Sequence, residues 1–214
     1  MNEVLSIAEA SEELDRTLGT ETRQAYARVL EVAPHLGVVA VVLGGTYPAF
    51  CPSKDGLENS QVEITPERRF YESELASPHF PARFRPFQEF FVARGIVPAV
   101  KELVVVAMLH ELGHADDYHT YITHANGDTA AAFKTYDHDW RNQVEALPLG
   151  GPTSAAEAAW DENIDGYQDQ MREAGFTNEA WLAILEANTI AYTQLPQEKI
   201  PDNFALQILA SIYT

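Results

Sequence analysis

The 214-residue chain lacks paired cysteines, an excess of basic residues and a long hydrophobic run. Its single cysteine, Cys51, excludes an internal disulfide and a thiolate zinc cluster. Only 14 Lys and Arg stand against 32 Asp and Glu, which gives a net charge of −18. This charge argues against nucleic acid and against an anionic membrane surface as partners. The absence of a run of 18 or more apolar residues argues against a membrane span.

The first residues also lack the basic segment and apolar stretch that are typical of a secretory signal. We therefore expect a cytoplasmic protein, unless a signal has been removed. With 46% hydrophobic residues, the chain can bury a core, and its length fits one large domain. We predict a single domain over 1–214, with an N-terminal part over 1–127 and a helical C-terminal part over 128–214.

Hydrophobic patterning predicts an α+β protein that is mainly helical. The Val-rich run at 37–45 is typical of a buried strand, and the alternation at 61–65 of a half-exposed strand. Pro98 marks the start of a long buried helix over about 98–122, which Asn126-Gly127 ends. The remaining predictions are helix over the first 36 residues, loop over 46–56, and helices over 128–147, over 154–174, after Thr177 and from Pro201.

The long helix carries His110-Glu111-Leu112-Gly113-His114, an H-E-x-x-H motif. Histidines four residues apart lie on the same helix face, so both imidazoles can bind one metal ion. Glu111 points about 100° away, beside such a metal, where its carboxylate can take a proton from a metal-bound water. A chance match is expected only about 0.02 times in a chain of this composition.

The surroundings of the motif also favour a binding site. The apolar run LVVVAML precedes it, and polar groups on a buried helix are costly unless something binds them. Gly113 weakens a helix by up to about 1 kcal/mol, which a close approach by another backbone or a substrate would explain. The structural alternative is a helix whose histidines are only hydrogen-bonded.

The string H-E-L-G-H-A after an apolar helical run resembles the active-site helix of zincin metallopeptidases, over about residues 98–122. The resemblance implies one Zn²⁺ per chain held by His110 and His114, with Glu111 as general base. It also implies a small mixed sheet over the active-site helix, whose edge strand binds a peptide substrate by strand addition. The strands at 37–45 and 61–65 are the candidates for this sheet.

The third ligand distinguishes the zincin branches. Metzincins have Gly and His where this chain has Asp117 and Thr120, so that branch is excluded. Gluzincins take a Glu from a later helix, often within E-x-x-x-D, and Glu157 to Asp161 has this spacing. We therefore predict His110, His114 and Glu157 as metal ligands, with Glu145 as the rival to Glu157. The remaining alternatives are Asp117, His124 and Glu162.

Two supporting roles also have candidates. Asp117 or Asp161 can accept a hydrogen bond from a ligating histidine, as the other ring nitrogen of such histidines usually donates to a carboxylate or carbonyl. Zincins also need an electrophile for the oxyanion, commonly Tyr, His or Arg. The candidates for this role are Tyr118, Tyr121, Tyr136, His138 and Tyr167.

These features predict a zinc metallopeptidase that hydrolyses peptide bonds in a peptide or protein substrate, with Glu111 activating the water. The acidic charge favours neutral or basic peptides. The alternative is a catalytically inactive zincin-like domain that binds metal and has a binding or regulatory role. A metal hydrolase that acts on a small amide is a third, weaker interpretation.

Overall fold

A computed structural model describes residues 3–45, 47–77, 84–147 and 177–213, together with 173 and 175. The fold is α+β and mainly helical, with a small mixed sheet, as predicted. None of the described helices combines the length and apolar character that crossing a membrane requires. The described helices are α1 (Ile7–Leu18), α2 (Thr22–Val32), α3 (Arg68–Ala76), α4 (Arg85–Val92), α5 (Val100–His124), α6 (Thr129–Glu145), α7 (Asn178–Thr193) and α8 (Pro196–Ile212).

The four described strands form one sheet in the order β1-β2-β4-β3. They are β1 (Glu3–Ser6), β2 (Ala40–Leu43), β3 (Ala49–Cys51) and β4 (Gln61–Ile64). β2 and β4 confirm the predicted strands at 37–45 and 61–65 and pair in parallel at the centre of the sheet. β1 and β3 pair antiparallel on the outside, β1 with β2 and β3 with β4.

Both outer strands fall where the sequence analysis predicted helix or loop. Residues 3–6 precede α1, which begins at the capping box formed by Ser6 and Glu9 rather than at the chain start. Residues 49–51 lie within the predicted loop of 46–56. Four and three residues are too few for a periodic pattern, so pairing with β2 and β4 decides these strands.

The long helix α5 confirms the prediction over about 98–122. Its start is stabilised because the backbone N–H of Ala99 donates to Oε2 of Glu102 at 3.0 Å. Asn126 and Gly127 follow its end with positive φ values of 55° and 85°. Most of the helix is buried, and it packs against β3, β4, α2, α3, α6 and α8. α5 is thus the central element of the core.

The later helices differ from the predictions in one respect. α6 agrees with the predicted zone of 128–147, and Thr177 caps α7 as expected. The predicted helix over 154–174 falls almost wholly outside the described residues. The last helix begins at Pro196, not at Pro201, which lies inside α8. Pro196 is the first residue of α8, where the missing N–H of a proline costs nothing.

Candidate metal centre

The helical repeat of α5 brings the two histidines of the H-E-x-x-H motif together. The Nε2 atoms of His110 and His114 lie 3.2 Å apart, and the two rings meet nearly at right angles. Only 8% of the His114 surface is exposed, and His110 is partly buried. Two ring nitrogens therefore converge on one point at the surface of α5.

The third member of the cluster is Glu198, from the first turn of α8. Its Oε2 lies 3.4 Å from His110 Nε2, and its Oε1 lies 3.8 Å from His114 Nε2. Tetrahedral zinc with bonds of about 2.0–2.1 Å places its ligand atoms roughly 3.3 Å apart. The cluster of His110, His114 and Glu198 could therefore hold a metal ion.

The outer nitrogens of the two rings are held by other side chains. His110 Nδ1 lies 2.9 Å from Oδ1 of Asp202, one turn after Glu198 on α8. His114 Nδ1 lies 3.4 Å from the hydroxyl of Tyr136, on α6. Such contacts fix the orientation of a histidine ring and leave Nε2 directed at the metal. Asp117, the predicted partner of His114, does not fill this role, since the ring nitrogens of His114 contact Tyr136 and His110.

A close crossing of two helices makes this arrangement possible. A Cβ atom built on Gly113 would lie 2.6 Å from Cα of Pro201 and 3.0 Å from its carbonyl oxygen. A side chain at position 113 would therefore separate α5 from α8. Another backbone or a substrate was expected close to Gly113, and the structure shows another backbone, that of Pro201, whose approach brings Glu198 to the histidines.

Glu111 lies beside the cluster, on the side of the sheet. It is buried, with 8% of its surface exposed, and the backbone N–H of Phe50 in β3 donates to its carboxylate. Burial raises the pKa of Glu111 to about 7, although the nearby His110 opposes the shift. A carboxylate with a pKa near neutrality is suited to accept and return a proton.

His114 and Glu198 already have the charge that a metal ligand needs, whereas His110 holds a proton that a metal would displace. Burial lowers the pKa of His114 to about 4, so this imidazole is neutral at pH 7. Burial also acts to lower the pKa of His110, but hydrogen bonds with Asp202 and Glu198 raise it well above its ordinary value. Burial opposes ionisation of Glu198, yet the hydrogen bond with His110 keeps its pKa below the ordinary value.

The predicted third ligands have different outcomes. Glu145 is exposed at the end of α6 and is not part of the cluster, and His124 is exposed at the end of α5. Glu157, Asp161 and Glu162 lie outside the described residues. Glu198 was not among the candidates, although Glu198 to Asp202 has the same E-x-x-x-D spacing as Glu157 to Asp161. The spacing was thus a usable signal, but the predicted helix start at Pro201 left Glu198 outside any helix.

Three of the five predicted electrophiles hydrogen-bond to groups outside the cluster. The hydroxyls of Tyr118 and Tyr121 donate to the carbonyl of Ser53 and to Asp139, and His138 contacts Asn142. Tyr136 is the partner of His114, and Tyr167 lies outside the described residues. Tyr192, which was not a candidate, lies at the cluster, where its hydroxyl donates to Glu198.

Comparison of the chain with protein-family models, with curated proteins and with solved structures found no match. The residues of the cluster and their surroundings are therefore the basis for any assignment of function.

Proposed function

We propose that the protein is a zinc-dependent peptidase whose metal ligands are His110, His114 and Glu198. The observation that carries the proposal is a buried two-histidine, one-carboxylate cluster with a second carboxylate, Glu111, beside it. Two histidines and a glutamate are a known ligand set for catalytic zinc. In such sites a further coordination position of the metal stays open for water or substrate. Zinc bound there would polarise the scissile carbonyl and lower the pKa of a water molecule.

The residues of this chain have separate tasks in the reaction. Glu111 takes the proton from the attacking water and returns it to the leaving amine, for which its pKa of about 7 is suitable. Asp202 and Tyr136 orient the two histidines. Tyr192 donates to Glu198 and so helps to hold this ligand.

The rival function is a metal-binding domain without catalytic activity. A structural site needs its ligands but has no use for a buried carboxylate beside them, because burying an ionisable group is costly. Glu111 is buried beside the ligands although its burial costs free energy, and a backbone N–H donates to its carboxylate. These two features favour catalysis.

The test compares wild type with Glu111→Gln. We expect one zinc per chain in both proteins by native mass spectrometry, and at least a 100-fold loss of peptide-library cleavage in the variant. Glu145→Gln, at the exposed end of α6, is the matched control and should cleave like wild type. Unchanged cleavage in Glu111→Gln, or a protein that binds no zinc, would exclude the proposed mechanism.

A further inference from the structure

The outer edge of β3 faces the proposed catalytic base. Phe50 is the middle residue of β3, and its N–H donates to Glu111. The N–H and C=O of one strand residue point to the same side, and neighbouring residues alternate. The polar groups of Phe50 are therefore directed away from β4, although Phe50 is opposite Val62 in the register. Ala49 and Cys51 face β4 instead.

The next positions along this outer edge are prolines. Pro48 and Pro52 lie two residues before and after Phe50, in the sequence Pro-Ala-Phe-Cys-Pro. Proline has no N–H, and its place in sheets is the edge, where it prevents pairing with another strand. From Pro48 to Pro52 this edge thus has no free N–H, because the two prolines have none and that of Phe50 donates to Glu111, while the carbonyl oxygen of Phe50 is directed outward with its N–H.

This edge is poorly suited to an extended peptide. When a peptide is added to a sheet edge as a strand, its N–H groups donate to carbonyl oxygens of the edge, and its carbonyl oxygens accept from N–H groups of the edge. At β3 the peptide's N–H groups would find acceptors, but its carbonyl groups would find no available donor. A carbonyl buried without a donor is costly, so the edge selects against a paired strand.

The surroundings instead favour a group that donates hydrogen bonds and carries positive charge. Glu111, Glu198 and Asp202 are carboxylates with little exposure, and the whole chain has a net charge of −18. A cleft of about 430 Å³ begins at Cys51 and Pro52 and extends to Phe133. Its lining contains one acidic and one basic side chain, Asp55 and Lys54, and none of the three carboxylates, so the cleft itself favours neither sign. The three carboxylates favour a cation.

We propose that the edge from Pro48 to Pro52 is an acceptor-only subsite for an ammonium or guanidinium group of the substrate, and that the two prolines exclude an extended peptide. An ammonium group supplies three donors and no acceptor, which matches this edge. The subsite deepens the proposed peptidase function and rests on it. Its occupant is either a free amino terminus or a Lys or Arg side chain.

The test measures binding, so that it does not depend on turnover. Zinc-loaded Glu111→Gln protein is titrated calorimetrically with matched peptides: free amino terminus, acetylated, acetylated with lysine, and acetylated with norleucine in its place. We expect cationic peptides to bind at least 10-fold more tightly than the neutral acetylated peptide. The first and third peptides distinguish the amino terminus from the side chain. Equal or tighter binding of the neutral peptide would overturn the subsite.

Proline variants test whether the missing N–H groups of Pro48 and Pro52 cause the preference for cationic peptides. Pro48→Ala and Pro52→Ala each add an N–H to the edge, so the neutral acetylated peptide should bind more tightly and the preference for cations should shrink. Pro66→Ala, between β4 and α3, is the control and should keep the wild-type preference. An unchanged preference in both edge variants would contradict the assigned role of the prolines. Peptides that bind but are never cleaved by wild type would overturn the peptidase function while leaving the subsite intact.

Discussion

At the residue scale, the cluster depends on one carboxylate that is distant in sequence from the two histidines. Glu198 lies 3.4 Å from His110 Nε2 and 3.8 Å from His114 Nε2, and only 5% of its surface is exposed. A buried carboxylate between two ring nitrogens is costly unless it is paired or binds a metal. Glu198 is therefore the residue whose substitution tests the metal centre most directly.

We expect Glu198→Ala to weaken zinc binding by at least 100-fold, because one of three protein ligands is lost. Zinc affinity is measured by competition with a chromophoric chelator. Glu145→Ala is the exposed control and should retain wild-type affinity. Glu157→Ala, which substitutes the ligand first predicted, should also retain it. Loss of zinc in Glu157→Ala with retention in Glu198→Ala would contradict the assignment.

Zinc affinity should rise with pH between 6 and 8. The raised pKa of His110 means that a proton occupies the metal-free site, and zinc must displace it. His114 has a pKa of about 4 and is already neutral in this range. One displaced proton corresponds to up to about 10-fold tighter binding per pH unit. A flat profile in the chelator competition would show that no proton is released.

A second buried carboxylate predicts a pH effect on stability. Burial, with Asp116 and Asp139 nearby, raises the pKa of Asp117 to about 6, above its ordinary value of 3.8. The folded state then binds the proton more tightly than the unfolded state, so Asp117 costs stability as the pH rises through 6. Asp117→Asn should raise the free energy of unfolding by about 2 kcal/mol at pH 8 and by much less at pH 4.5.

Urea denaturation at both pH values measures this difference. Asp137→Asn is the control, because Asp137 is half-buried, pairs with Arg141 at 2.8 Å and is not among the groups that raise the pKa of Asp117. Its substitution should lower the stability slightly instead of raising it. A gain in Asp117→Asn that is equal at pH 4.5 and pH 8 would contradict the ionisation argument.

At the element scale, the decisive feature is the crossing of α5 and α8. The two helices approach so closely that a Cβ on Gly113 would lie 2.6 Å from the backbone of Pro201. Within one turn of this contact, α5 carries His110 and His114, and α8 carries Glu198 and the His110 partner Asp202. The interhelical distance and the cluster geometry are therefore linked.

We expect Gly113→Ala to destabilise the fold by about 1–3 kcal/mol and to weaken zinc binding by 10-fold or more, because the added methyl group pushes α8 away. Thermal unfolding and chelator competition measure the two effects. Gly37→Ala is the control, since its Cβ would meet only a leucine side-chain atom at an ordinary 3.4 Å. Wild-type zinc affinity in Gly113→Ala would show that the crossing does not position Glu198.

At the scale of the whole molecule, a bound metal would join parts of the chain that are distant in sequence. The ligands come from residues 110–114 and from residue 198, and α5 lies at the centre of the core. A ligand that binds only the folded state stabilises it, by about 2.7 kcal/mol when its concentration is 100 times its dissociation constant.

Removal of zinc with a chelator should therefore lower Tm by about 5–10 °C for a chain of this size. Differential scanning calorimetry with and without the chelator measures the shift. The Glu198→Ala variant should unfold at the same temperature in both conditions, because it has no tight zinc site to empty. An identical shift in that variant would show that the chelator acts at another site.

The sequence by itself determined the α+β class, the two central strands and the position of α5, because these depend on local hydrophobic patterns. It also determined that His110 and His114 share one helix face with Glu111 beside them, since the spacing of residues on a helix is fixed. The need for a close approach at Gly113 was likewise visible, because glycine is costly inside a helix.

Only the tertiary structure decided the outer strands, the partner of Gly113 and the third member of the cluster. β1 and β3 are too short to have a pattern and exist through pairing with β2 and β4. Two E-x-x-x-D strings were compatible with the sequence, because no local rule states which later helix crosses α5. Among the described residues, the packing of Pro201 against Gly113 determines that α8 crosses α5. This contact brings Glu198 to the two histidines.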